Sequence, residues 1–453
     1  MKLRDSGITP RSGRSGARCV LGLALLAACG QPPGAGLDAL TGATVIDVVT
    51  GRSLPAAVIL VRDGHVVAVG DSEEVAVPRG ARVTDLSGRW IIPGLIDAHV
   101  HLQPWAIPLE LHYGVTTVRD LHDGEPLADT LRAIASRSPS PRLFMAIAML
   151  DVPPTTYPDA IPVASPDSAA AAVARAQRLG ATWIKVYTHA TPDVLGAIIN
   201  AARVVHLPVA VHLGLTDAVT AANLGVTSIE HLSGIPEAAG DSVALDSAHT
   251  EKFFRGWTAF EHSWAGLDTV ALTRVIEELA ARRVYLVPTL VLHETFAHLD
   301  DSATYHPPGI EMVPDTARRN WNVPGMIRRA GWTADDYTAF RAARPIQDQV
   351  VRTFVAAGGR IAAGTDASNQ LLVPGSALHS EMALLVHAGL TPLDALRSAT
   401  SWSADLLGAD SLGRLRAGAV ADLVVLGGDP LADIANTRKV VRVMLGGAWV
   451  GLR

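Results

Sequence analysis

Two histidines two residues apart, His99 and His101, end an apolar run in the stretch LIDAHVHLQPW, residues 95–105. In an extended strand, positions i and i+2 leave the same face, ~7 Å apart along the backbone. Such a pair can hold a metal ion or be two ordinary histidines near a strand end. Further along the chain stand Lys185 in TWIKVY, His212 in VAVHL, His231 in SIEHL and Asp366 in IAAGTD. Each lies at or near the end of a short apolar run. Imidazole and carboxylate together suit Zn²⁺ or a similar divalent ion. A lysine in an apolar strand needs a partner, because an unpaired buried ammonium is costly. An ion pair with Asp366 or Glu230 is one answer. Carboxylation by carbon dioxide is another, since the carbamate is an anion able to bridge two cations. Two metals sharing a hydroxide would offer a nucleophile and a Lewis acid at neutral pH.

These residues need a scaffold that aims several strand ends at one spot. Residues 93–407 alternate short apolar strands with helices. Strands are expected at 95–101, 116–120, 142–148, 182–187, 209–213, 228–232, 285–290 and 361–366. Helix starts are marked by Thr191-Pro192-Asp193, Thr391-Pro392 and Ser165-Pro166-Asp167, each an N-cap hydroxyl followed by Pro at the first turn. Eight strands with intervening helices are the content of an α/β fold of the (β/α)8 TIM-like barrel type. Its catalytic groups gather at the C-terminal strand ends. An open doubly wound sheet is the alternative, but no G-x-G-x-x-G follows the first strand. Residues 39–92 and 408–453 have a different texture, with short strands and turns such as Asp63-Gly64. They are expected to form one small β-sandwich domain from both termini. Two stretches, about 233–280 and 291–350, exceed what a helix and its loops require. They are rich in aromatics: Phe253, Phe254, Trp257, Phe260, Trp264, Phe296, Trp321 and Trp332. They read as a pocket wall, a local mini-core, or both.

The chain has 453 residues and a formal net charge of -6, without a long basic run after the N-terminus, so nucleic-acid binding has no electrostatic footprint. Residues 1–28 read as an export signal: Lys2, Arg4, Arg11, Arg14 and Arg18, then the short apolar VLGLALLAA. The segment ends LAAC, which resembles a bacterial lipobox with Cys29 as the lipidated residue. Residues 29–38 are then a tether. Both cysteines, Cys19 and Cys29, fall in this region, so the mature chain is expected to have no thiol chemistry beyond the anchor. The expected location is the bacterial cell envelope, held to a membrane by lipid. Oligomeric state is not legible.

The motifs PGLIDAHVHL, GVTTVRDL, WIKVYTHA, VAVHL, IEHL and AGTDA resemble, in order and spacing, those of the amidohydrolase superfamily. The closing HSEMALLVHAGLTPLDALRSAT and LGRLRAGAVADLVVLGGDPL resemble its imidazolonepropionase-like and Xaa-Pro dipeptidase branch. The resemblance runs from about residue 40 to the end, apart from the aromatic insertions. It implies that His99, His101 and Asp366 hold a buried metal, that His212 and His231 hold a more exposed one, and that carboxylated Lys185 bridges them. It gives Asp366 the role of general base and acid, around a metal-bridging hydroxide, in hydrolysis of a C–N amide bond. Zinc is the default metal, with manganese, iron and cobalt as alternatives. The expected substrate is a small molecule or short peptide: a dipeptide or N-acyl amino acid, with a cyclic amide or lactone as the second reading. An inactive surface-binding lipoprotein is the reading from another class. Tyr187, His189 and His293 lie where they could touch substrate. His112, His122, His262 and His298 are placed outside the site, and His379 and His387 in the scaffold. Arg119-Asp120 reads as an ion pair. Glu230, beside His231, is expected to face away from it and serve structure.

Overall fold

The computed structural model describes residues 36–240, 248–249 and 253–451. The signal segment, Cys29 and most of the tether lie outside them. Among the described residues no helix is long and apolar enough to cross a membrane.

The middle of the chain forms the expected TIM-like barrel. Its strands are Leu95–Val100, Val115–Asp120, Arg142–Met145 continued by Met149–Asp151, Ile184–Val186, Val209–Val211, Ser228–Glu230, Tyr285–Val287 and Arg360–Ile361. Neighbouring strands pair in parallel. The circle closes on both sides of the two strand groups. Met145 O accepts from Thr182 N at 2.8 Å, and Val100 bridges in parallel to Ala367. The first two strands are buried at every position. Their polar residues, Asp97, His99, Arg119 and Asp120 among them, are buried as fully as the apolar ones.

Glycine permits two close approaches. A Cβ on Gly94, where the β-domain passes directly into the first barrel strand, would sit 2.2 Å from the Thr116 hydroxyl. A Cβ on Gly364 would sit 2.6 Å from Val287 Cγ1 and 2.8 Å from His99 Cβ. Strand eight can therefore lie against His99 only because residue 364 lacks a side chain.

Both termini contribute to one eight-stranded sheet. Its central strand, Asp38–Ile46, pairs along one edge with Ser53–Arg62. Along the other it pairs first with Arg82–Asp85 and then with Trp90–Pro93. Register shifts around Ala43 bend it. The sheet wraps around its own core, where Leu40, Ile59 and Val66 pack with Leu423, Val425 and Met444 from the C-terminal strands.

The aromatic insertions do both jobs considered for them. Trp257, Phe296, Trp321, Trp332, Tyr337 and Phe340 share a second core, separate from that of the barrel. Phe253, Phe254, Trp257, Leu292 and Phe296 also line the cavity above the strand ends.

Candidate active site

The cavity at the C-terminal strand ends has a volume of about 520 Å³, ordinary for a small-molecule site. All six residues expected to bind metal line it: His99, His101, Lys185, His212, His231 and Asp366. The short ladders place them. His212 follows Val209–Val211 directly, and His231 follows Ser228–Glu230. His231 (φ 59°) and Asp366 (φ 62°) both occupy the left-handed region, where a non-glycine residue is uncommon and strain often marks function.

His99, His101 and Asp366 each bring one ligand atom within 4.8 Å of the others, a grouping able to hold a metal ion. The second nitrogens decide how these rings present themselves. His99 Nδ1 donates to Glu230 Oε2 at 2.8 Å. His101 Nδ1 donates to the His122 carbonyl at 2.9 Å. His231 Nδ1 lies 2.8 Å from Thr289 Oγ1. With the Nδ1 proton of His99 and of His101 engaged, each ring turns an Nε2 lone pair inward. Those two Nε2 atoms lie 3.1 and 3.0 Å from Asp366 Oδ1. That oxygen is buried and has no hydrogen-bond partner assigned among the described residues. Three such electron-rich atoms need either a proton shared among them or a cation between them, and the donor set fits a divalent metal.

The rings of His99 and His231 are 4.6 Å apart, and those of His231 and His212 are 4.7 Å apart. Burial holds the His212 and His231 imidazoles well below their usual range, and so neutral. Asp366 stays ionised: burial pushes its carboxyl up, but His101 and His99 more than offset this. Asn369 Nδ2 donates to Asp366 Oδ2 at 2.7 Å and fixes the carboxylate plane.

Lys185 Nζ is buried and has no hydrogen-bond partner among the described residues. Burial brings its pKa down to about 8, with Arg119 acting in the same direction and Glu230 and Asp366 against it. The ion pair considered for it with Asp366 or Glu230 does not form. Glu230 is taken by Arg119, whose Nη2 lies 2.9 and 3.1 Å from the two carboxylate oxygens.

Of the three residues placed near substrate, only Tyr187 lines the cavity. His189 is tied to loop carbonyls, Nδ1 to Pro154 at 2.9 Å and Nε2 to His249 at 3.0 Å. His293 is buried behind the site. Its Nδ1 is 2.5 Å from Glu261 Oε1, its Nε2 is 3.2 Å from the His231 carbonyl, and its ring stacks on Trp257. The chain turns into helix Leu290–Ala297 immediately after strand seven, which carries His293 behind the rim.

One scaffold expectation is corrected by the alternation of strand side chains. Arg119 and Asp120 are sequence neighbours and point to opposite faces. Arg119 pairs with Glu230, and its guanidinium lies over Trp183 at 4.4 Å. Asp120 caps the Leu102 and His122 amides. Glu230 turns toward the barrel interior, where His99 waits, and so it positions a candidate ligand. His122 also belongs to the site. Its carbonyl holds His101 and its ring lines the cavity with Asp123, Thr156 and Tyr157. Burial, and then the neighbouring Asp120, push the Asp123 carboxyl up to about 11. A charged residue inside an apolar strand, as in SIEHL, was the available signal for Glu230. The roles of His122, Thr156 and Asn369 depend on loop paths that carry no periodic signal.

Residues 90–450 match the family model described as the amidohydrolase family. Imidazolonepropionase of Chromobacterium violaceum is 26% identical over 398 residues, covering 81% of this chain and 84% of that protein. Other curated matches are local. The chain covers 18% or less of the length of the first of them, adenine deaminases such as that of Methanoculleus marisnigri, 37% identical over 97 residues and 19% of this chain. Among solved structures, a bottromycin amidohydrolase superposes with a TM-score of 0.69 at 22% identity, covering 92% of this chain and 87% of that one. A Xaa-Pro dipeptidase with methionine bound in its active site superposes with a TM-score of 0.66 at 21% identity, covering 91% and 99%. These two likenesses bear on the fold.

Proposed function

The chain belongs to the amidohydrolase family, and from that premise we propose that it is a metal-dependent hydrolase of a C–N amide bond in a dipeptide-like or N-acyl amino acid substrate. The observation that carries this reading is the convergence of the His99 and His101 Nε2 atoms on an orphaned Asp366 oxygen. His99, His101 and Asp366 would hold one divalent ion, and His212 and His231 would hold a second. Lys185, once carboxylated, would add an anionic ligand between these two sets. An amine with its pKa brought down to about 8 keeps a neutral fraction able to react with carbon dioxide, and the carbamate answers its lack of a partner. Zinc is the ion that imidazole and carboxylate donors favour by default.

When bound, the metals supply a water of lowered pKa and a Lewis acid for the scissile carbonyl. The chain's own groups do the rest. The Asp366 carboxylate, steadied by Asn369, takes the proton of the attacking water at Oδ2 and delivers it to the leaving nitrogen. Glu230 and the His122 carbonyl hold the two imidazoles in one tautomer and orientation. Phe253, Phe254, Trp257 and Phe296 shed water from the cavity and contact the apolar parts of the substrate.

The test is a panel of dipeptides and N-acyl amino acids, with cyclic amides and lactones beside them, offered to the zinc-loaded protein with bicarbonate. Turnover confined to linear amides supports the proposal. Turnover confined to cyclic amides or lactones replaces the substrate class, and no turnover of any member rejects the enzymatic reading.

The export signal and LAAC sequence support a lipid anchor on Cys29 and a place in the cell envelope. Replacement of Cys29 by serine should move the protein from the membrane fraction to the soluble one. An unchanged membrane fraction would reject the anchor.

A further inference from the structure

The cavity wall contributed by the second insertion carries a cation without a counter-charge among the described residues. Helix Val323–Ala330 starts at Asn322, whose side chain accepts from Gly325 N at 3.2 Å. Val323 and Met326 anchor it in the second core. Met326 and Arg329, three residues apart and so on one helix face, both line the active-site cavity. Arg328, one position earlier, does not line it, although both arginines are exposed. Both arginines complement the helix C-terminus, so the dipole explains a basic last turn. It does not explain why one of the two is turned to the cavity.

The other acidic and basic groups on the lining have settings of their own. Asp366 faces His99 and His101, Asp159 meets His122 at 3.2 Å, Asp123 shares its site with Asp120, and Lys185 belongs to the proposed metal centre. No carboxylate among the described residues pairs with Arg329, so the ligand is left to bring one. The remainder of this side is apolar: Phe254, Leu292, Phe296 and Met326.

We propose that Arg329 reads the free carboxylate of the residue released from the amide nitrogen, and that this residue has a large apolar side chain lodged against the aromatic insertion. The inference rests on the amide-hydrolase reading and deepens it: the preferred substrate is an N-acyl or N-aminoacyl form of an aromatic or branched apolar amino acid with an unblocked C-terminus. Guanidinium suits this task because it meets a carboxylate with two parallel N–H donors.

The experiment measures kcat and KM on matched pairs, N-acyl-phenylalanine or N-acyl-leucine against their C-terminal amides. It uses the zinc-loaded wild-type chain, Arg329→Gln, Arg329→Lys and Arg328→Gln. The wild type should favour the free acids. Arg329→Gln should raise KM for the acids by roughly 10- to 100-fold, the worth of a charge-assisted pair, while leaving kcat and the amides within about twofold. Arg329→Lys should recover part of the loss, and Arg328→Gln should match the wild type. Equal wild-type activity on acids and amides, or an equal loss on both in Arg329→Gln, overturns the inference and leaves the hydrolase reading standing. Failure of the wild type on every linear amide in the panel overturns both.

Discussion

Glu230 shows how much one buried carboxylate can hold. It accepts from His99, from Arg119 and from Ser228 at 2.6 Å. Burial would raise its pKa, but Arg119 leads the groups that bring it down to about 2. Glu230→Gln keeps the shape and removes the charge. Arg119, fully buried, then lacks its counter-ion, a loss of about 3–5 kcal/mol, and His99 loses its strongest orienting partner. The expected outcome is a clear drop in melting temperature and a metal affinity reduced roughly 10- to 100-fold, read by calorimetry and by competition with a chelator. Unchanged affinity would demote Glu230 to scaffold. The six ligand candidates were legible in the sequence because each is a polar residue at the end of an apolar run. Alternation gave the direction of Glu230 relative to His231, but not its contact with His99, because it does not say which strand lies across the barrel.

At the scale of elements, the strand-to-strand fit at the site depends on the missing side chain of Gly364. Gly364→Ala sets a methyl 2.6 Å from Val287 Cγ1 and 2.8 Å from His99 Cβ. Strands one and eight must part, which displaces His99 from Asp366. Overpacking of this kind costs about 1–3 kcal/mol, and activity should fall at least tenfold more than stability alone explains. Retained activity in a folded Gly364→Ala protein would show that the spacing is not critical. All eight barrel strands were legible from short apolar runs bounded by turns and helix caps. The exact exit from each ladder was not, because it is set by polar residues turning toward the cavity. That is why His293, expected on the rim beyond strand seven, rides instead on a helix that begins at Leu290.

The whole molecule carries buried charge behind the site as well. Glu381 is fully buried. Its Oε2 accepts from Val291 N at 2.7 Å, while Oε1 has no partner. Burial pushes its pKa up to about 8 despite the Val291 bond. The folded state therefore binds this proton more tightly than the unfolded chain, whose glutamates titrate near ~4.3. Stability from this group is present below that value and is lost as the pH rises toward 8. Glu381→Gln does not titrate, so its melting temperature should gain on the wild type by roughly 2–4 °C between pH 5 and pH 8.5. A constant difference across that range would contradict the assignment. The composite β-domain was legible from the matching textures of the two ends, although not the wrapping of one sheet around a single core, which follows from the bend near Ala43. The fate of the insertions was legible only as alternatives, since aromatic residues serve a core and a pocket wall equally well.

The central claim is that six side chains assemble a two-metal hydrolytic centre bridged by a modified Lys185. Metal content per chain, measured beside amide turnover for the zinc-loaded wild type and for Lys185→Ala, tests it most directly. The account predicts two divalent ions per wild-type chain, and in Lys185→Ala the loss of at least one with activity falling by more than about a thousandfold, ~4 kcal/mol of transition-state stabilisation. A wild type that holds less than about one ion when metal is in excess, or a Lys185→Ala variant with full activity, would contradict it.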